Sequence, residues 1–142
     1  MFRSAFKRRR VLIPMSGFYE WTRVGKTKKQ PWHIRLANGE PFAVAGLWET
    51  WTDPDGEPLK STTLMTTAPN ATMQPIHNRM PVILPQSSWE TWLSEDTDLD
   101  AIQSLLVPFE GDLHPYRVST TVNKVANKGP ECQEPLNDED NT

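Results

Sequence analysis

The sequence predicts an α+β fold dominated by antiparallel strands, with only a few short helices. Three observations lead there. Thirteen prolines are scattered through 142 residues, and proline breaks helix interiors and central strands, so the elements must be short. The first half alternates aromatic or β-branched runs with turn signals, the pattern of hairpin-joined strands. Helical spacing of apolar residues is confined to one region, residues 87–106.

The elements follow in order. Val11-Leu12-Ile13 is a short strand closed by Pro14. Residues 17–24 form an aromatic strand ending at a Gly25-Lys26 turn. Residues 31–36 alternate and lead into Asn38-Gly39, a strong hairpin signal. Residues 42–51 make the next strand, closed by Asp53-Pro54-Asp55-Gly56, and the threonine-rich stretch 59–67 should pair back onto it. Asn70 to Met73 begins a helical turn. Met80 to Leu84 is an apolar run between prolines. Ser87 and Glu90 have capping-box spacing before Trp89, Trp92 and Leu93, which share a helical face. Asp98 can cap a second helix through Leu106. Residues 116–122 form a late strand. This gives one domain over residues 1–130, followed by an acidic tail, 131–142, expected to be disordered.

Composition narrows the function classes. A single cysteine, Cys132, allows no intramolecular disulfide and suits a reducing compartment, so a cytoplasmic protein is expected. Flanking acids make Cys132 a poor nucleophile. No apolar run approaches a membrane span, and no membrane partner is expected. The net charge of −3 hides a split: residues 1–35 carry ten Lys/Arg and one acid, whereas residues 90–142 carry twelve Asp/Glu and three Lys/Arg. The basic quarter can attract phosphates, although a solvated basic face explains such a run equally well.

Two constellations can carry chemistry. In residues 17–21, strand alternation places Phe18 and Glu20 on one face and Tyr19 and Trp21 on the other. A carboxylate partly buried among aromatics is suited to proton transfer near neutrality. The same residues also fit an edge glutamate facing water or paired with Arg23. In residues 75–81, His77 offers a proton-transfer group and Arg79 an anion clamp. A structural histidine between prolines is the alternative. His33 and His114 read as structural. No metal-ligand spacing, phosphate loop or GxSxG motif occurs. No metal and no cofactor is expected.

Five segments, in order, resemble the SOS-response-associated peptidase (SRAP) domain. Gly17-Phe18-Tyr19-Glu20-Trp21 resembles its GFYEW signature and Ala45-Gly46-Leu47-Trp48-Glu49 its AGLWE strand. The stretch from Thr66 through Asn70 and Met73 to Leu84 resembles its longest signature, centred on Ile76-His77-Asn78-Arg79-Met80-Pro81. Trp89 and Trp92-Leu93, then Val118-Ser119 and Val122-Asn123, complete the series. The resemblance runs from about Phe2 to about Pro135 and implies a barrel-like core and a bacterial or phage origin.

It also implies a function: shielding abasic sites in single-stranded DNA. An N-terminal cysteine, freed of the initiator methionine, attacks the aldehyde of the opened sugar with its amine and thiol to form a thiazolidine crosslink. The resemblance makes Glu20 and His77 the catalytic proton-transfer residues. It places Arg79, Thr67, Asn70 and Arg10 along the DNA. Position 2 here is Phe2, and the Cys-Gly-Arg opening and the upstream asparagine segment are absent from these residues. The chain therefore reads as beginning inside the domain, unable to crosslink unaided. Single-stranded DNA with abasic sites is the expected partner. An N-terminal fragment or self-association is expected to cover strands 17–24 and 42–51. A non-covalent DNA-binding module, an inactive remnant and half of a split protein remain as alternatives.

Overall fold

A computed structural model describes residues 2–137. Along the chain come α1 (Arg3–Arg8), β1 (Arg10–Met15), β2 (Phe18–Val24), β3 (Lys28–Leu36), β4 (Phe42–Thr52), β5 (Pro58–Leu64), β6 (Thr66–Thr67), β7 (Met80–Pro81) and β8 (Ile83–Leu84). They are followed by α2 (Trp89–Leu93), α3 (Leu99–Gln103) and β9 (Leu113–Arg117). No helix among the described residues is long and apolar enough to cross a membrane.

Every strand pairing is antiparallel. β4 is the axis of the first sheet. β1 lies along one edge, and the other is shared by β5 and, at Ala43 and Val44, by β8. The second sheet has the order β2-β3-β9, and β6 and β7 form a separate two-residue ladder. The described strands thus divide among three sheets, and no closed barrel joins them.

Side-chain alternation along β4 builds both halves of the core. Phe42 and Val44 face the second sheet and join Ile34, Met73, Met80, Ile83 and Leu113 in one cluster. Ala45 and Leu47 face the helices and join Ala5, Val82, Leu84, Trp92 and Ile102 in the other. Residues 42–47 are consequently the most buried stretch of the first sheet. The expectation that the whole 42–51 strand is exposed fails for that stretch. Only its far end, with Trp51, and the whole of β5 lie open. In β2, Trp21 and Val24 are exposed.

Several local expectations change, each for a physical reason. Asn38-Gly39 does form a turn, with Gly39 at φ 75° and its N–H donating to Leu36 O at 3.0 Å. It is not a hairpin, however, because both edges of β3 are already taken by β2 and β9, so the chain crosses to the other sheet. β1 continues through Pro14 to Met15; it is an edge strand, where the missing N–H breaks no ladder bond. The capping box does not form. Ser87 is absorbed into a 3₁₀ turn, Gln86–Ser88, and α2 starts without a side-chain cap. α3 ends at Gln103 rather than running to Leu106. The late strand begins at Leu113 and ends at Arg117; the Ser119 hydroxyl then accepts from Thr121 N and turns the chain into a 3₁₀ segment, Thr120–Asn123.

The segment after Gly129 is also placed. Pro130–Gln133 forms a 3₁₀ turn, Cys132 is buried, Leu136 N donates to Arg117 O at 2.9 Å and Val118 bridges Pro135. Apolar burial of Cys132 and pairing beyond β9 hold residues 131–137, contrary to the expected disorder. Residues 138–142 of that tail lie outside the described residues.

This segment covers the outer face of the second sheet. There His33 lies between Tyr19, which it meets edge-on, and Tyr116, which is tilted to it, both with ring centroids 5.2 Å away, and Tyr116 donates its hydroxyl to Gln133 O at 2.8 Å. His33 is 3% exposed and its Nδ1 has no hydrogen-bond partner among the described residues. Burial, helped by the Arg35 charge, pushes its pKa down, so the fold favours the neutral ring. Below about pH 6.5 the unfolded chain binds a proton there that the folded chain refuses. Stability is therefore expected to fall as pH drops from 6.5 toward the lowered folded value. A thermal melt series across that range should show the loss, and His33→Phe should flatten it. A pH-independent melting temperature in the unmodified chain contradicts this.

Candidate functional site

Glu20 and His77 come from elements far apart in sequence and meet at the mouth of the space between the two sheets. Glu20 stands on β2 opposite Trp32 and on the same side as Phe18, which packs into the inter-sheet core. The alternation read from the sequence is thus the one observed. His77 is presented by the loop 68–79. Asn70 opens that loop by accepting from Met73 N at 3.0 Å, and His77 N closes it on Met73 O at 2.9 Å. Met73 and Met80, both at 1% exposure or less, anchor the loop on either side of the histidine. Such anchoring fixes an imidazole better than sequence spacing alone would suggest.

His77 Nε2 lies 3.7 Å from Glu20 Oε2. That is ion-pair range but too long for a direct hydrogen bond. A reacting oxygen seated between the two groups could bond to both. On the other side of the ring, Arg79 N donates to Nδ1 at 3.1 Å. The Arg79 carbonyl oxygen also lies 3.1 Å from Nδ1, so the Arg79 backbone holds the ring whether Nδ1 accepts or donates. Burial pushes the Glu20 pKa up, and His77 partly opposes the shift. Glu20 can thus hold a proton closer to neutrality than an ordinary carboxylate and still surrender it. Arg23, the alternative partner for Glu20, lines the same opening, but the ion pair that Glu20 makes is with His77.

The pair opens into a cleft of about 600 Å³ lined by Glu20, Trp21, Arg23, Lys29, His77, Val122, Asn123 and Val125. Trp21 donates its indole N–H to Asn123 Oδ1 at 2.7 Å, which fixes one wall. Arg23 and Lys29 were missed as site residues by sequence reasoning. The signal was present: counting outward from the Gly25 turn puts them directly opposite each other.

The four residues expected along DNA are not gathered around this cleft. Arg79 is exposed but turns to Thr66, donating from Nη2 to Thr66 O at 2.8 Å, and it borders a separate groove between α1, β5 and α3. Thr67 is buried and donates its hydroxyl to Leu106 O at 3.3 Å. The Asn70 side chain is occupied at both ends, by Met73 N and by Phe109 O. Arg10 ties together the C-terminal ends of α1 and α2, donating to Phe6 O, Lys7 O, Trp92 O and Ser94 O at 2.5–3.0 Å. Orphan carbonyls at helix ends are natural acceptors for a guanidinium. The sequence marked these positions, but in the fold Thr67, Asn70 and Arg10 hold the scaffold together. Among the described residues no three His, Cys, Asp or Glu side chains are grouped to hold a metal ion.

The comparisons with known proteins point one way. The sequence profile described as SOS response associated peptidase (SRAP) matches residues 1–125. The chain belongs to the SRAP family. It is 44% identical over 135 residues to abasic site processing protein YoqW of Bacillus subtilis, covering 94% of this chain and 60% of that protein. It is 36% identical over 151 residues to abasic site processing protein HMCES of Xenopus tropicalis, covering 91% of this chain and 44% of that protein. A crystal structure of a protein from Bacteroides thetaiotaomicron superposes with a TM-score of 0.84 at 30% identity, over 95% of this chain and 60% of its partner. This SRAP chain thus spans about 60% of the length of the first of these relatives, YoqW.

Proposed function

We propose that this chain recognises abasic sites in single-stranded DNA at the Glu20–His77 cleft, and that the 142 residues alone do so without forming a stable covalent crosslink. The observation that carries the reading is the pair itself. A carboxyl whose pKa burial raises faces an imidazole held at Nδ1 by the Arg79 backbone. The relatives named as abasic site processing proteins supply the substrate class.

An abasic deoxyribose is a cyclic hemiacetal. Opening it breaks the bond from C1′ to the ring oxygen and forms the C1′ aldehyde. A base must take the hydroxyl proton at C1′, and an acid must give one to the ring oxygen. Glu20 and His77, facing each other across one sugar, supply the two functions. The next step in the resemblance requires an amine and a thiol together. Within these 142 residues the sole thiol, Cys132, is buried on the other face of the second sheet.

The test pairs two measurements on one single strand, prepared with and without an abasic site. Fluorescence anisotropy should show tighter binding to the abasic strand, weakening as salt rises. A denaturing gel should show no heat-stable adduct. Equal affinity for both strands defeats the lesion reading, and a heat-stable band defeats the non-covalent one.

A further inference from the structure

The β2–β3 hairpin carries a feature that the proton-transfer pair does not use. Arg23 and Lys29 are direct cross-strand partners. Residues so placed have Cβ atoms roughly 5 Å apart, and like charges in that position repel. Neither has an acidic partner among the described residues, where the ion pairs are Arg9–Glu49 and His77–Glu20. Both side chains line the same cleft as Glu20 and His77, whereas Lys26 and Lys28 of the same hairpin do not. Among the described residues, Glu20 is the only acid lining that cleft. Two cations without an acidic partner among the described residues thus stand cross-strand on the cleft of the proton-transfer pair, on a wall stiffened by the Trp21–Asn123 hydrogen bond. An anion with several acceptor oxygens, seated between them, would relieve the repulsion.

We propose that Arg23 and Lys29 form a clamp for one backbone phosphate of the strand whose sugar lies at Glu20 and His77. This deepens the reading of the cleft as a lesion-strand site and rests on it. The arginine offers a planar fork to two phosphate oxygens, and the lysine a point charge to a third. The clamp fixes the strand's position along the cleft and carries no base preference.

The test compares two double variants of equal charge, Arg23→Gln with Lys29→Gln, and Lys26→Gln with Lys28→Gln. All four residues are exposed, so both variants should melt like the unmodified chain. Losing one phosphate contact should make the log–log salt slope for single-stranded DNA shallower by about 0.7. That change is expected for the first variant and not for the second. Equal changes in both mean a diffuse basic hairpin and overturn the clamp, as does no change in either. A separate titration with inorganic phosphate, followed by NMR, should shift the Arg23 side-chain and Lys29 backbone N–H signals ahead of Lys26 and Lys28. If the unmodified chain binds abasic and intact strands alike, yet the slope change is confined to the first variant, the clamp stands and the lesion reading fails. If phosphate gives no such response, the clamp fails.

Discussion

Trp92→Ala is expected to cost about 3–5 kcal/mol of folding stability, the range for truncating a fully buried aromatic. Trp92 is 0% exposed and sits where three elements meet. Its indole N–H donates to Val11 O at 2.8 Å, which ties α2 to β1. Phe6 of α1 meets the ring edge-on at 6.1 Å, and the Arg10 guanidinium lies 5.8 Å from its centre. Alanine would leave a cavity under both helices and an unsatisfied carbonyl at Val11. Urea denaturation should show the midpoint falling sharply. Trp92→Phe should lose less, because most of the volume stays and only the hydrogen bond goes. A Trp92→Ala loss below about 1 kcal/mol would mean that the helical layer contributes little.

Gly17→Ala should damage stability and site together. A Cβ built on Gly17 would come 2.4 Å from His33 Nε2, 2.5 Å from His33 Cε1 and 2.9 Å from Ile34 O. The imidazole cannot swing clear, since Tyr19 and Tyr116 flank it and it is buried. The backbone carbonyl cannot move without disturbing the β2–β3 ladder. Overpacking of this kind costs about 1–3 kcal/mol. The strain falls three residues before Glu20, so β2 should shift and the preference for an abasic strand should weaken. Wild-type stability and unchanged preference in the variant would show that the close approach is not needed.

These two positions show what the sequence made legible. The glycine of the GFYEW segment could be recognised by pattern, but its physical reason is a contact with a histidine sixteen residues away, across a ladder. Alternation in β2 put Glu20 on the inward side correctly, because period-two geometry is local. The meeting of Glu20 with His77 depends on two sheets closing over Met73 and Met80, which no local period encodes; only the resemblance joined them. The resemblance placed Arg10, Thr67 and Asn70 along the DNA. The fold spends their hydrogen bonds on helix ends and loop closures. Asn38-Gly39 misled because a turn signal reports chain reversal, not which strand is free to pair. The class itself, α+β with antiparallel strands and short helices, followed from proline spacing and alternation, which are properties of the chain rather than of its contacts.

The central claim is that the Glu20–His77 cleft receives the lesion. It is tested most directly by NMR of the side-chain signals of Glu20, His77 and the Trp21 indole N–H as strand is added, with and without an abasic site. The abasic strand is expected to shift all three signals, and to change the pH at which Glu20 titrates, beyond what the intact strand does. Equal shifts from both strands, or shifts confined to the groove bordered by Phe2, Leu64 and Arg79, would contradict it.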